Sequence, residues 1–201
     1  MILSRIIGRS SGVSEFSKEM KKFNKQDQRL LAIWAADCAE RVLPYFEEKY
    51  SRDNRPRKAI ETGRKWTRSK MMKGAGSPPV MLKSRTYHGI EFKDIRSASL
   101  AAHAAARKAK ADGNNMACFA ARSAGQAVAT AHVPQHAFGA AYYALKLVEV
   151  ANPENTNVKI TKELRWQESR LPLQLRPAWK KWQKQRLPKS LRPVDKSSKK
   201  V

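Results

Sequence analysis

Three of the four histidines, His103, His132 and His136, fall in one alanine-rich stretch. His132 and His136 are four residues apart, a spacing that one continuous helix could use to hold a metal. Pro134 lies between them and predicts a break, because proline has no N–H to give. If the chain reverses near Gly113–Asn114, His103 stands about ten residues before the turn and His132 about eighteen after it. At about 1.5 Å rise per residue the two are then offset by roughly 12 Å, which argues against a site shared on those two helices alone. Without a third ligand close in sequence, these residues read as hydrogen-bonded packing histidines. No metal and no cofactor is predicted.

The acidic groups that could act as acid–base catalysts are Asp37, Glu40, Glu47, Glu48 and Glu61. They sit in segments dense in Arg and Lys, so ion pairing is the expected use, with Asp37–Arg41 and Arg57–Glu61 as candidate four-apart pairs. Nucleophilic triads, phosphate-binding loops, Gly-rich dinucleotide motifs and Cys-x-x-Cys pairs are all missing. The chain reads as non-enzymatic.

The other chemistry on offer is electrostatic. The net charge of +24 attracts nucleic acid, an anionic membrane or an acidic protein. It is uneven: +4 on residues 1–26, +9 on 27–158 and +11 on 159–201. Within the last segment Trp166-Gln-x-x-Arg170-Leu-Pro-x-x-Leu-Arg176-Pro177 returns sixteen residues later as Trp182-Gln-x-x-Arg186-Leu-Pro-x-x-Leu-Arg192-Pro193. Each copy reads as a short helix ended by Pro, then a turn. Trp179-Lys180-Lys181-Trp182 puts two indoles on one helix face beside Arg170, Arg176, Lys184 and Arg186, a pattern suited to phosphates and stacked bases or to an acidic partner.

The elements that must position these groups are helical. Twenty of the 55 residues from Ser97 to Ala151 are Ala, the best helix former. Asp112–Asn115 and Pro134 divide the stretch into helices near 95–111, 115–132 and 135–151, small-faced enough to form a tight antiparallel hairpin and a third packed helix. Upstream, Leu31, Trp34, Cys38 and Val42 recur at helical spacing, with Asp27 as a cap. A second helix should start at Pro56, with Asp53 or Asn54 accepting its orphan N–H groups, run to Met71 or Met72 and bury Ile60, Gly63 and Trp66. Residues 73–92 read as a long connection with an extended piece at Val80–Leu82. The expected fold is all-α, a helical bundle of about five to seven helices. A flexible arm (1–26) precedes the helical domain (27–158), and a basic tail (159–201) follows it. Cys38 and Cys118 give no disulfide framework, and no apolar run reaches the roughly 18 residues of a membrane span. A reducing, cytoplasmic location follows.

Several stretches together resemble a known family. They are Leu31-Ala-Ile-Trp-Ala-Ala-Asp-Cys-Ala-Glu-Arg-Val-Leu43, Asp53-Asn-Arg-Pro-Arg-Lys-Ala-Ile-Glu61, Ala101-Ala-His-Ala-Ala-Ala-Arg107, Ala129-Thr-Ala-His-Val-Pro-Gln-His-Ala137, Tyr143-Ala-Leu-Lys146 and Trp166-Gln-x-x-Arg-Leu-Pro172. In this order, over residues 28–177, they are similar to the immunity proteins of bacterial polymorphic-toxin systems, the fifth immunity family or its like. The resemblance implies an all-α protein that neutralises a cognate toxin by binding it. It marks Asp37, Cys38, Glu40, Arg55, Arg57, Glu61, His103, Arg107, His132 and His136. A polar pocket is expected where the histidines and Arg107 meet Asp37 and the 55–61 helix. A basic nucleic-acid-binding protein acting through its tail is the alternative.

Overall fold

The spacing of apolar residues becomes helices almost wherever it predicts them. The structure, a computed structural model, describes residues 23–69, 86–87 and 90–192; the expected arm at 1–22 and the Val80–Leu82 piece lie outside these. Helix α1 spans Lys25–Val42 and buries Leu31, Trp34, Cys38 and Val42. Its cap is Asn24, whose side chain accepts from the Asp27 N–H at 2.8 Å, and not Asp27 as expected; the helix begins two residues before that residue. Pro44 breaks it and opens the short α2, Pro44–Glu47.

Helix α3, Arg55–Arg68, has Pro56 in its first turn and buries Ile60, Gly63 and Trp66. The Asp53 carboxylate takes the Arg55 N–H at 3.2 Å. Ser69 already leaves helical backbone at ψ 130°, so the helix stops short of Met71. Thr86–Tyr87 (β1) then pairs antiparallel with Ile90–Glu91 (β2).

The alanine-rich stretch forms α4 (Phe92–Ala111), α5 (Asn115–Ala129) and α6 (His136–Ala151). Gly113 takes φ +77° in the first turn, a region that costs glycine nothing. Asn114 caps α5 by accepting from the Ala117 N–H at 2.9 Å. Ala102, Ala105, Ala106, Ala109, Ala120, Ala124 and Ala140 are buried where the three helices meet. Small side chains bring the axes close enough for backbone pinning. The Ser99 hydroxyl donates to the Gly125 carbonyl at 3.0 Å, and that of Ser123 to the Ala140 carbonyl at 2.9 Å.

Apolar residues of the segment 159–192 share the main core. Helix α7 (Thr156–Arg170), a 3-10 turn at Leu173–Leu175, α8 (Arg176–Arg186) and a second 3-10 turn at Lys189–Leu191 follow one another. Leu164, Leu171, Leu175, Trp179, Trp182, Leu187 and Leu191 pack in the same cluster as Trp34 and Phe138. Trp179 lies edge-on to Trp34 (5.2 Å between centroids) and stacks on Phe138 (5.6 Å) and Trp182 (5.3 Å).

The sequence repeat is a structural repeat. Leu171 and Leu187 end their helices in extended backbone, and each is followed by Pro and a 3-10 turn. Arg176 Nε donates to the Leu171 carbonyl at 3.0 Å, and Arg192 Nε to the Leu187 carbonyl at 2.9 Å. The repeated Arg is thus a cation turned back on a helix C-terminus, where orphan carbonyls and the helix dipole favour it.

Candidate functional site

The three histidines converge through a third helix. His136 opens α6, and its Nδ1 lies 2.7 Å from Gln126 Oε1 on α5. An amide oxygen only accepts, so Nδ1 carries the proton and Nε2 keeps its lone pair. The His132 ring sits 5.1 Å from the His136 ring, with Phe92 edge-on to it at 5.6 Å. His103, on α4, lies flat over the backbone of α5 at Gly125: a Cβ there would meet its ring atoms at 2.9–3.1 Å. Gln126 is seated the same way, since a Cβ on Gly139 would meet its Oε1 at 2.7 Å. The corner itself is held by Gln28, whose Nε2 donates to the Thr130 and Ala131 carbonyls at 2.9 and 3.0 Å.

Burial pushes His103 down to about 4, helped by the Arg122 and Arg107 cations. Burial likewise brings His136 to about 4, aided by His132 and His103, and lowers His132. All three are therefore neutral near pH 7. Arg122 stands over the Tyr143 ring at 5.6 Å, and Arg107 is exposed. The expected offset between His103 and His132 does not keep the group apart, because His136 feels both.

The motif carboxylates form a separate set. Arg64 on α3 bonds Asp37 at 2.9 Å and also Glu40, and Arg57 grips Glu47 through two bonds of 2.6 Å. Arg55 pairs with Asp53 at 2.5 Å. The expected Asp37–Arg41 and Arg57–Glu61 pairs are not made: Arg41 bonds the buried Glu163 at 2.9 Å while its guanidinium lies 4.4 Å over Trp166, and Glu61 reaches Arg57 only as a nearby charge. Across a bundle, side chains from neighbouring helices compete with the four-apart partner, and here they win. Cys38 is fully buried, and desolvation raises its thiol well above the ordinary value. Among the described residues no hydrogen bond or ion pair joins the histidines or Arg107 to Asp37 or to residues 55–61, so the single expected pocket resolves into two separate clusters.

The tail residues also divide. Trp179 and Trp182, 0% and 8% exposed, have their ring faces taken by Phe138 and by each other and cannot stack on bases. Arg176 is committed to its helix end. Lys180 is exposed and pairs with Glu168 at 3.0 Å; Arg170 lies 5.7 Å from Trp166; Lys184 is exposed, and Lys181 and Arg186 are half-buried. What this face presents outward is cationic. Arg64, Arg122, Gln126 and Glu163 were not singled out by the sequence. For Gln126 a signal exists, because a lone glycine inside a helical pattern, here Gly139, marks close packing of another group.

A comparison with family models matches residues 21–74 and 81–174 to one described as Imm-5 like putative immunity protein. The chain belongs to that family. No curated protein and no solved structure matches it. The Imm-5 like match takes in α1 to α7 and ends within the first tail repeat, so the second copy of that repeat lies beyond it. No helix among the described residues is long and apolar enough to cross a membrane.

Proposed function

We propose that this Imm-5 like chain neutralises a cognate bacterial toxin of a polymorphic-toxin system by direct binding in the cytoplasm, and that it acts by occlusion and not by catalysis. The observation that carries this reading is the family match over most of the chain. Physical features agree with it. Of the marked carboxylates, Asp37 and Glu40 both bond Arg64, and their neighbour Glu47 bonds Arg57. The fold is helical and the chain carries a net charge of +24, which suits an acidic protein face. Nucleic-acid binding through the tail loses its best support with the burial of Trp179 and Trp182. The test is co-expression with a candidate cognate toxin of a polymorphic-toxin system: cells should survive induction only when this chain is present, and death in both cases contradicts the reading.

A further inference from the structure

The Imm-5 like match ends at residue 174, so helix α8 lies wholly beyond it. That helix is fastened to the core by its indoles, with Trp179 and Trp182 buried against Phe138. Its outward side is cationic. Lys180 and Lys184 are exposed and four residues apart, which is about 6 Å along the helix axis. Lys180 Nζ reaches Glu168 Oε1 on α7 at 3.0 Å, so the polar sides of the two helices adjoin. Arg165, also exposed, stands one turn before Glu168 on α7. At the far end of α8 the exposed Arg192 donates to the Leu187 and Lys184 carbonyls at 2.9 and 3.0 Å. Arg165, Lys180, Lys184 and Arg192 therefore form one row across α7 and α8. Glu168 is the acid that stands in it. From Ser169 to Val194 the chain has eight Lys and Arg and no Asp or Glu. Acids on the neighbouring elements are engaged elsewhere: Glu163 holds Arg41, and Glu149 holds Lys146. Among the described residues, neither Arg165 nor Lys184 has a carboxylate within ion-pair distance. Like charges this close repel one another, and an acidic partner relieves that repulsion.

We propose that Arg165, Lys180, Lys184 and Arg192 form the docking row for an acidic face of the toxin. The inference rests on the toxin-binding reading above. A protein partner is favoured over nucleic acid because the indoles that would stack on bases are spent on the core. Because those indoles fix α8 in place, the row stands ready before a partner arrives, and little ordering is left to oppose binding. A row of this kind speeds association and weakens as salt is added.

Two measurements on the full chain test this. The first takes labelled deca-glutamate as an acidic probe and a short DNA duplex as comparison, with affinities read by fluorescence anisotropy. Lys180→Glu combined with Lys184→Glu should weaken deca-glutamate binding by about tenfold. Lys49→Glu combined with Lys58→Glu removes the same charge from exposed lysines elsewhere and should weaken it far less. Glu168→Gln, which removes the acid from the row, should tighten binding by about twofold to threefold, a gain that unfolding cannot mimic. Equal losses in the two double variants overturn the proposal, because net charge alone then governs binding. Deca-glutamate that does not bind overturns it too. So does a Lys180–Lys184 double variant that loses affinity only for DNA, which assigns the row to nucleic acid. In the second, the same variants are titrated against a candidate cognate toxin, and the same order of affinities is expected. A complex indifferent to the Lys180–Lys184 double variant overturns the row while leaving the toxin-binding reading intact. If no complex forms, the broader reading fails and the deca-glutamate titration alone decides the row.

Discussion

His136 Nδ1 and Gln126 Oε1 meet at 2.7 Å across the α5–α6 corner, and that contact fixes which imidazole nitrogen faces outward. Removing the acceptor releases the tautomer. In Gln126→Leu (Q126L), the ¹⁵N shifts of His136 should move from the Nδ1–H pattern to a mixture containing Nε2–H, and stability should fall by about 1 kcal/mol. An unchanged ¹⁵N pattern would show that the bond does not orient the ring.

The corner also makes the fold sensitive to mild acid. His103 and His136 are lowered to about 4 in the folded chain, against an ordinary value near 6.5 when unfolded. Below about 6.5 the unfolded state binds more protons, so stability that is complete above that pH drains away as pH falls toward 4. Each histidine contributes a slope of up to about 1.4 kcal/mol per pH unit in that window. Urea denaturation at pH 7, 6, 5 and 4.5 should show the decline. His103→Gln (H103Q) should flatten it, and a flat profile in the unmodified chain would contradict the burial of neutral histidines.

The repeated arginines should matter for the fold. Arg176 and Arg192 each donate to the carbonyl that closes the preceding helix, and a charge-assisted bond of this kind contributes about 1–3 kcal/mol. Arg176→Ala and Arg192→Ala should lower the urea midpoint by comparable amounts, while Lys184→Ala, an exposed neighbour, should leave it near the starting value.

Much of this architecture was legible in the residues. The breaks at Gly113 and Pro134, the buried stripe of Leu31, Trp34, Cys38 and Val42, and the Pro-ended repeat all follow from local chemistry. The partners were not. Local spacing offers Arg41 to Asp37, but Glu163, more than a hundred residues away in sequence, takes it. Trp179 and Trp182 lie among lysines, so their local composition reads as surface. Their burial depends on the apolar wall that Trp34 and Phe138 supply from other helices, which no window around them contains. The histidine corner was half visible: its members were marked, but the link through Gln126 and His136 needs the third helix in place.

Trp179 should accordingly be a core residue in its energetics. Trp179→Ala should cost about 3–5 kcal/mol. Trp179→Phe should cost less, because the buried Nε1 has no hydrogen-bond partner to lose. Nucleic-acid affinity abolished by Trp179→Phe in a chain that stays folded would instead restore a stacking role for the tail.

The most direct test of the central claim is calorimetric titration of the purified chain into a candidate cognate toxin of a polymorphic-toxin system, with toxin activity followed in parallel. A saturating one-to-one complex that silences the toxin at stoichiometric addition is the expected result. A toxin that stays fully active, with no heat of binding at any ratio, would contradict it.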